Sequence, residues 1–283
     1  MSLGLIYKNA AHIFDEVEKK TPYLEYPLFQ ETGIVTSAFS TRLGGVSEGY
    51  YSSLNLSFDR GDDPARVLEN FKRIGASMGV NVEDMVLSKQ THTTNVRVVT
   101  AEDKGKGVMR ERNYTDVDGM ITNVPGICLV TSYADCVPLY FVDPVKKVIG
   151  LSHSGWRGTV GKIGKVTVEK MEEEFGCDPA DILGAVGPSI CQDCYEVSED
   201  VIKKFRENYD ENLWPEIFYQ KENGKYQLNL WKANESVFLE SGILPEHIAV
   251  TNVCTHCNPD ILFSHRTTGN ERGTLSAFLA LKK

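Results

Sequence analysis

Short apolar runs rich in β-branched and aromatic residues alternate along the chain with stretches of helical spacing. The runs at 23–28, 34–40, 85–87, 95–100, 120–122, 127–133, 139–142, 148–151, 182–186, 248–253 and 275–281 predict strands. Between them, Val67, Leu68, Phe71, Ile74 and Met78 fall on one helical face. Asp63 is a good N-cap for that helix, Pro64 suits its first turn and Gly79 its end. Ile163, Val166, Val168, Met171 and Phe175 predict a second helix closed by Gly176. Val201, Ile202 and Phe205 predict a third behind Ser198, and 228–239 a fourth with Gly242 behind it. Strands and helices mix over the whole length without a repeat or a linker, which reads as one α/β domain over 1–283.

Composition narrows the function classes. The 283 residues carry a net charge of −9, so the basic footprint of a nucleic-acid binder is missing. No apolar run approaches the roughly 18 residues of a membrane span. Seven cysteines without a secretory signal predict reduced thiols in a cytoplasmic protein.

The most apolar stretch, 116–158, is interrupted by polar residues of particular kinds. Cys136 follows Asp135 after one hydrophobic run, and His153 follows another, just before Ser154-Gly155-Trp156-Arg157-Gly158. Upstream lies Lys89-Gln90-Thr91-His92. Groups that are costly to bury are paired, bound to a metal or placed in a cleft when strands end on them. His92, Cys136 and His153 suit an open three-ligand zinc site, and the same donors accept copper. A nucleophile–base pair of Cys136 with either histidine fits the same residues, as does an unrelated set with Cys136 a small core residue.

Two further patterns stand apart. The pairs Cys191/Cys194 and Cys254/Cys257 invite a four-cysteine structural zinc site, but they are spaced much farther from each other than in a zinc ribbon, which favours buried thiols. Arg42 (in the Gly-rich loop Thr41-Arg42-Leu43-Gly44-Gly45-Val46-Ser47), Arg157 and Arg266 each sit near a predicted strand end, where a guanidinium can hold phosphate or carboxylate. The alternative for the Gly-rich loop is a plain connection.

The segments KQTH, DGMITN with TSYADCVPL, HSGWRG, and GPSI with CYEV, flanked by TRLGGVS and FSHR, resemble the laccase-domain (polyphenol-oxidase) family, whose members are described as purine nucleoside phosphorylases. The motifs cover nearly the whole chain. The resemblance implies an α+β fold of four layers, α/β/β/α, with mixed sheets. It implies a zinc ion on His92, Cys136 and His153, with copper as the alternative. It implies phosphorolysis of adenosine, inosine, guanosine and methylthioadenosine, and deamination of adenosine. An older assignment of the family is copper-dependent phenol oxidation, and some bacterial members are linked instead to editing of peptidoglycan precursors, which suits a Cys–His hydrolase. On this reading the partners are purine nucleosides and phosphate. Arg42 is the first candidate for holding phosphate, with Lys89 and Arg157 as helpers, and Asp135 shuttles a proton or orients Cys136 or His153. The C-terminal motif departs from the family's Ser-Tyr-Arg: here it reads Ser264-His265-Arg266, with Glu271-Arg272-Gly273 later.

Overall fold

In chain order the strands are β1 (Asp15–Val17), β2 (Tyr23–Glu25), β3 (Val35–Ser40), β4 (Met85–Leu87), β5 (Val96–Val98), β6 (Gly119–Thr122), β7 (Cys128–Tyr133) and β8 (Val137–Asp143). They continue with β9 (Val148–Ser154), β10 (Leu183–Val186), β11 (Glu196–Val197), β12 (Phe218–Gln220), β13 (Tyr226–Leu228), β14 (Ile248–Val250) and β15 (Leu275–Leu281). The structure is a computed structural model and describes residues 3–283. One six-stranded sheet has the order β1-β2-β3-β15-β7-β4 and a second the order β14-β10-β8-β9-β6-β5, while β11, β13 and β12 form a small third sheet. Both large sheets mix parallel and antiparallel pairs.

Alternating side chains explain the layers. On β15, Leu275, Ala277, Leu279 and Leu281 join Leu129 and Tyr133 of β7 in a core shared with Tyr140, Val142, Ile149 and Leu151 of the second sheet. Phe278 and Ala280, which point the other way, pack with Val67, Phe71, Ile74 and Met78 of helix Pro64–Met78. Val137, Leu139 and Phe141 turn outward from β8 onto helices Ile163–Phe175 and Leu230–Glu240. Two sheets face each other, each with helices on its outer side, which is the α/β/β/α order. Tyr26, Phe29 and Tyr140 fill the middle with tilted and edge-on ring contacts.

Most predicted elements form, and several boundaries move. The helix at 64–78 starts on the Asp63 cap, whose side chain accepts from the Ala65 amide, and ends at Gly79 in the left-handed region. The run at 23–28 is a strand only to Glu25, because Pro27 starts a short helix, Pro27–Gln30. The strand predicted over 248–253 stops at Val250, and the residues beyond it pair irregularly with the loop after β10.

Candidate active site

Chain crossings between the two sheets build the site. Strand β7 belongs to the first sheet and β8 to the second, and Cys136 sits in the tight connection between them. His153 lies on β9, the antiparallel neighbour of β8, with Pro138 as its register partner. His92 comes from the loop after β4. The backbone of that loop is fixed by Gln90, whose side chain accepts from the Ser132 amide at 2.8 Å and donates to the Ser132 carbonyl at 2.9 Å. The ligand atoms of His92, Cys136 and His153 all lie within 4.8 Å of one another. That is close enough for the three to share one ion.

Asp118, immediately before β6, organises the group, and it is the residue the sequence reading passes over. It is fully buried. Its carboxylate accepts from His153 Nδ1 at 2.8 Å and from the backbone amides of Thr91, His92 and Thr93 at 2.9, 3.1 and 3.1 Å. One carboxylate thus orients the buried imidazole and ties down the loop that carries the exposed one. Asp116 assists by accepting from the hydroxyls of Thr91 and Thr93 and from the Asn95 amide. His92 itself has φ of 67°. A non-glycine residue held there signals a constraint imposed by its surroundings.

The charges interlock. Burial opposes ionisation of Cys136, but the charge of His153 and hydrogen bonds from both histidines bring its thiol down to about 6. Burial also opposes the charged form of His153, yet Cys136 and Asp118 raise it to about 9. Without a metal the two form a thiolate–imidazolium pair. With Nδ1–H donated to Asp118, Nε2 is the nitrogen left to face an ion.

Gly155 closes the site from the other side. A Cβ there would lie 3.0 Å from His92 Cδ2, 3.2 Å from Cys136 Sγ and 3.8 Å from His153 Cε1. The Gly155→Ala variant should therefore fold, since its φ of −71° suits any residue. Its methyl group displaces the donors, and metal occupancy and turnover fall by roughly 10²-fold. Metal analysis beside a thermal melt checks this, and a variant with ordinary metal content would refute it.

The three donors open into a cleft of about 440 Å³. Lys89, Arg60, Arg112 and Arg272 line it, with Asp59 as the one lining carboxylate. Lys89 pairs with Asp59 at 2.8 Å, and Arg112 donates to the Ser88 carbonyl. Arg272 Nε is buried without a hydrogen-bond partner, and burial together with neighbouring Arg60 lowers its guanidinium to about 10. A cationic pocket in a chain of net charge −9 attracts anions against the overall field.

Three of the residues expected in the site have other surroundings. Arg42 lies outside the cleft: it donates to the carbonyls of Ser52 and Pro259 and stacks over Phe263 at 4.5 Å. The amides of its loop are spent internally. Those of Gly45, Val46 and Ser47 donate to Ser53 Oγ, Asn70 Oδ1 and the Ser53 carbonyl, so the loop is a packed connection and not an anion cradle. Arg157 is exposed and lies 4.3 Å over the Trp156 ring, away from the cleft lining. Both carboxylate oxygens of Asp135 are engaged, accepting from Thr255 Oγ1 and the Arg266 amide at 2.6 Å each. Asp135 thereby ties together the two loops behind Cys136. Lys89 is the expected cation that does reach the cleft. Arg60 and Arg112 also reach it, although nothing in their local sequence separates them from solvated surface charges, and Arg272 of the C-terminal motif joins them. The cysteine pairs also depart from expectation: the sulfurs of Cys191, Cys194, Cys254 and Cys257 lie within 4.8 Å of one another, a second group that could bind a metal.

The chain is similar to several known proteins. Purine nucleoside phosphorylase YlmD of Bacillus subtilis (strain 168) is 35% identical over 251 residues, covering 88% of this chain and 89% of that protein. Adenosine deaminase RL5, from an unknown prokaryotic organism, is 35% identical over 238 residues, 83% of this chain and 90% of its own. The crystal structure of the hypothetical protein YfiH from Bacillus licheniformis superposes with a TM-score of 0.90 at 32% identity, covering 96% of this chain and all of that one. The model of a family described as multi-copper polyphenol oxidoreductase laccase matches residues 36–282, and the chain belongs to that family.

Proposed function

We propose that the protein is a zinc-dependent purine nucleoside phosphorylase that also deaminates adenosine, with the whole chain working as one domain. The observation that carries this reading is the His92/Cys136/His153 donor set on the floor of a cleft lined by four basic side chains. Relatives named for both activities support it. Two imidazoles and a thiolate fit zinc with an open position. Bound there, zinc supplies a Lewis acid and lowers the pKa of a bound water toward about 7.

The chain's own groups do the rest. Arg272, Arg60 and Lys89 hold inorganic phosphate, and Arg272 Nε is a donor without a partner among the described residues. Phosphate oxygen bonds to the ribose C1′ as the bond from C1′ to the purine nitrogen breaks. The electron pair leaves with the purine, which takes up a proton, and the sugar leaves as ribose 1-phosphate. Adenosine, inosine, guanosine and methylthioadenosine share the bond that breaks. Only adenosine and its relatives carry the 6-amino group that a water can displace as ammonia.

A second reading rests on one observation. Asp118, His153 and Cys136 form a chain resembling an orienter, base and nucleophile, which suits a Cys–His hydrolase acting on an amide, as in peptidoglycan-precursor editing. Multi-copper phenol oxidation has less support. Of six histidines only His92 and His153 join a metal-binding group among the described residues.

The deciding experiment incubates metal-quantified protein with adenosine or inosine, with and without phosphate. Free base and ribose 1-phosphate appear only with phosphate if the reading holds, and inosine forms from adenosine without it. The Arg272→Met variant should raise the KM for phosphate roughly 10–100-fold, the worth of one charge-assisted hydrogen bond, with a smaller change in kcat. An unchanged KM for phosphate removes Arg272 from the site.

A further inference from the structure

The two cysteine pairs are 63 residues apart in sequence, and sheet topology brings them together. Strands β10 and β14 are parallel neighbours, with Val186 opposite Val250. The loops leaving their C-terminal ends run side by side. Thr251 N donates to the Val186 carbonyl, Thr255 N donates to the Ser189 carbonyl, and Ser189 bridges Cys254. Each loop then makes a tight two-residue turn between its cysteines. In one, Cys194 N donates to the Cys191 carbonyl. In the other, Asn258 spans the turn by donating from Nδ2 to the Cys254 carbonyl. These are the two halves of a zinc knuckle site, built from distant segments instead of adjacent ones.

We propose that Cys191, Cys194, Cys254 and Cys257 bind one structural zinc ion as a tetrathiolate. The inference stands apart from the nucleoside reading. Tetrahedral zinc with bonds of about 2.3 Å separates its sulfurs by about 3.8 Å. Cys194 and Cys257 are at 3.5 Å, and all four sulfurs lie within 4.8 Å. An iron–sulfur cluster interposes inorganic sulfide and spreads its thiolates farther than a single ion does. Four protein donors leave no open position, which marks a structural and not a catalytic site.

The surroundings fit a thiolate cluster. The Cys191 amide donates to Cys254 Sγ at 3.2 Å. Lys8 pairs with Asp193 at 2.9 Å, within electrostatic reach of Cys191 and Cys257, and its charge offsets part of the excess negative charge of a thiolate cluster. Cys191 and Cys254 are buried with Ile190, Tyr195 and Trp231 around them, while Cys194 and Cys257 are half-buried.

The ion would also support the active site. Thr255, between the second pair of cysteines, donates to Asp135, and Arg266 donates from its backbone to Asp135 and from its guanidinium to the Cys194 carbonyl. Both knuckles therefore converge on the residue that precedes Cys136. The tetrathiolate holds the rear wall of the connection that carries a proposed catalytic ligand.

The test uses full-length reduced protein. Stripped of metal and titrated with Co²⁺, it should show the strong visible absorption of a cobalt tetrathiolate. The Cys194→Ser/Cys257→Ser double variant should lose that band, and zinc in the as-purified protein should fall by about one ion per chain, whatever the cleft holds. The band should persist in a His92→Ala/Cys136→Ser variant. An unchanged cobalt spectrum or zinc content in the cysteine variant overturns the proposal. So does trapping of the four thiols as two disulfides in protein alkylated at lysis. Should the variant not fold, mercurial titration of the wild type decides. Zinc released in step with four thiols beyond Cys136 supports the site, and titration of those thiols without zinc release overturns it.

Discussion

Replacing His92 by alanine is expected to lower phosphorolysis by roughly 10³-fold and to strip zinc from the cleft, while the unfolding midpoint of the metal-free protein stays within about 2 °C. His92 is the exposed donor of the three, on a loop held by Asp116, Asp118 and Gln90 through groups other than its own ring. Removing the imidazole costs the fold almost nothing, so a loss of turnover reports on metal binding alone. The variant also separates the two enzymatic readings. A hydrolase run by Cys136, His153 and Asp118 keeps all three groups in His92→Ala and keeps most of its activity, and chelation leaves it unaffected. A zinc enzyme loses activity in both cases. Cys136→Ser does not discriminate, because it disables either mechanism. The measurements are nucleoside turnover, zinc content after dialysis and a thermal melt on the same preparation. Full turnover by His92→Ala at low zinc content would falsify the zinc mechanism.

Metal occupancy in this picture has a pH limit with a defined sign. The Cys136 thiol is held down at about 6, so it is ionised and ready to bind across the neutral range. His153, held up at about 9, must also shed its proton to bind, so zinc affinity already falls with pH below about 9, and as pH falls through about 6 proton competition for the sulfur adds to that loss. Release of zinc should steepen there and not near the ordinary thiol value.

What the sequence disclosed and what it withheld follow from the range of the interactions. His92, Cys136 and His153 were legible because each interrupts or follows an apolar run, and a polar group in such a place needs a partner. The helix at 64–78 was legible because its cap, apolar face and terminal glycine are all local. Asp118 was not legible, although it makes more contacts in the site than any residue singled out beforehand. Its partners come from the loop at 91–93 and from β9, and only the antiparallel pairing of β6 with β9 brings His153 against it. Arg60 and Arg272 meet across more than two hundred residues of sequence, and each looks like surface charge in its own neighbourhood. Arg42 misled for the opposite reason. Its Gly-rich setting fits an anion loop, but Gly45 is there because a Cβ would lie 2.0 Å from the Ser53 carbonyl. Sequence shows that a glycine is needed without showing whether a ligand or another strand of backbone needs the space.

The Asp118→Asn substitution should be the most informative change outside the donor set, because it alters one proton and leaves the volume alone. The carboxylate accepts Nδ1–H from His153, and that fixes the imidazole with Nε2 free for the metal. An amide nitrogen in the same place donates instead. It drives the His153 proton onto Nε2, the atom that must bind zinc. Zinc affinity should fall about 10–100-fold, and turnover by at least as much. The remaining oxygen still accepts from the Thr91 and Thr93 amides while the His92 amide loses its acceptor, so stability drops by about 1–3 kcal/mol. Asp118→Ala is the contrasting case. It leaves the amides of Thr91, His92 and Thr93 without their acceptor and the buried imidazole without its partner, at a cost of roughly 3–5 kcal/mol. Acid unfolding gives an independent readout. Burial works to raise the Asp118 carboxyl, but His153 and the loop amides together hold it below the usual carboxylate value. Its stabilisation is therefore complete above about pH 4 and is lost as pH falls through the depressed folded value. The Asp118→Asn protein lacks that titration and should lose less stability than the wild type over the same acid range. If it binds zinc like the wild type in a chelator competition, Asp118 is a structural anchor for the loop and does not set the His153 tautomer.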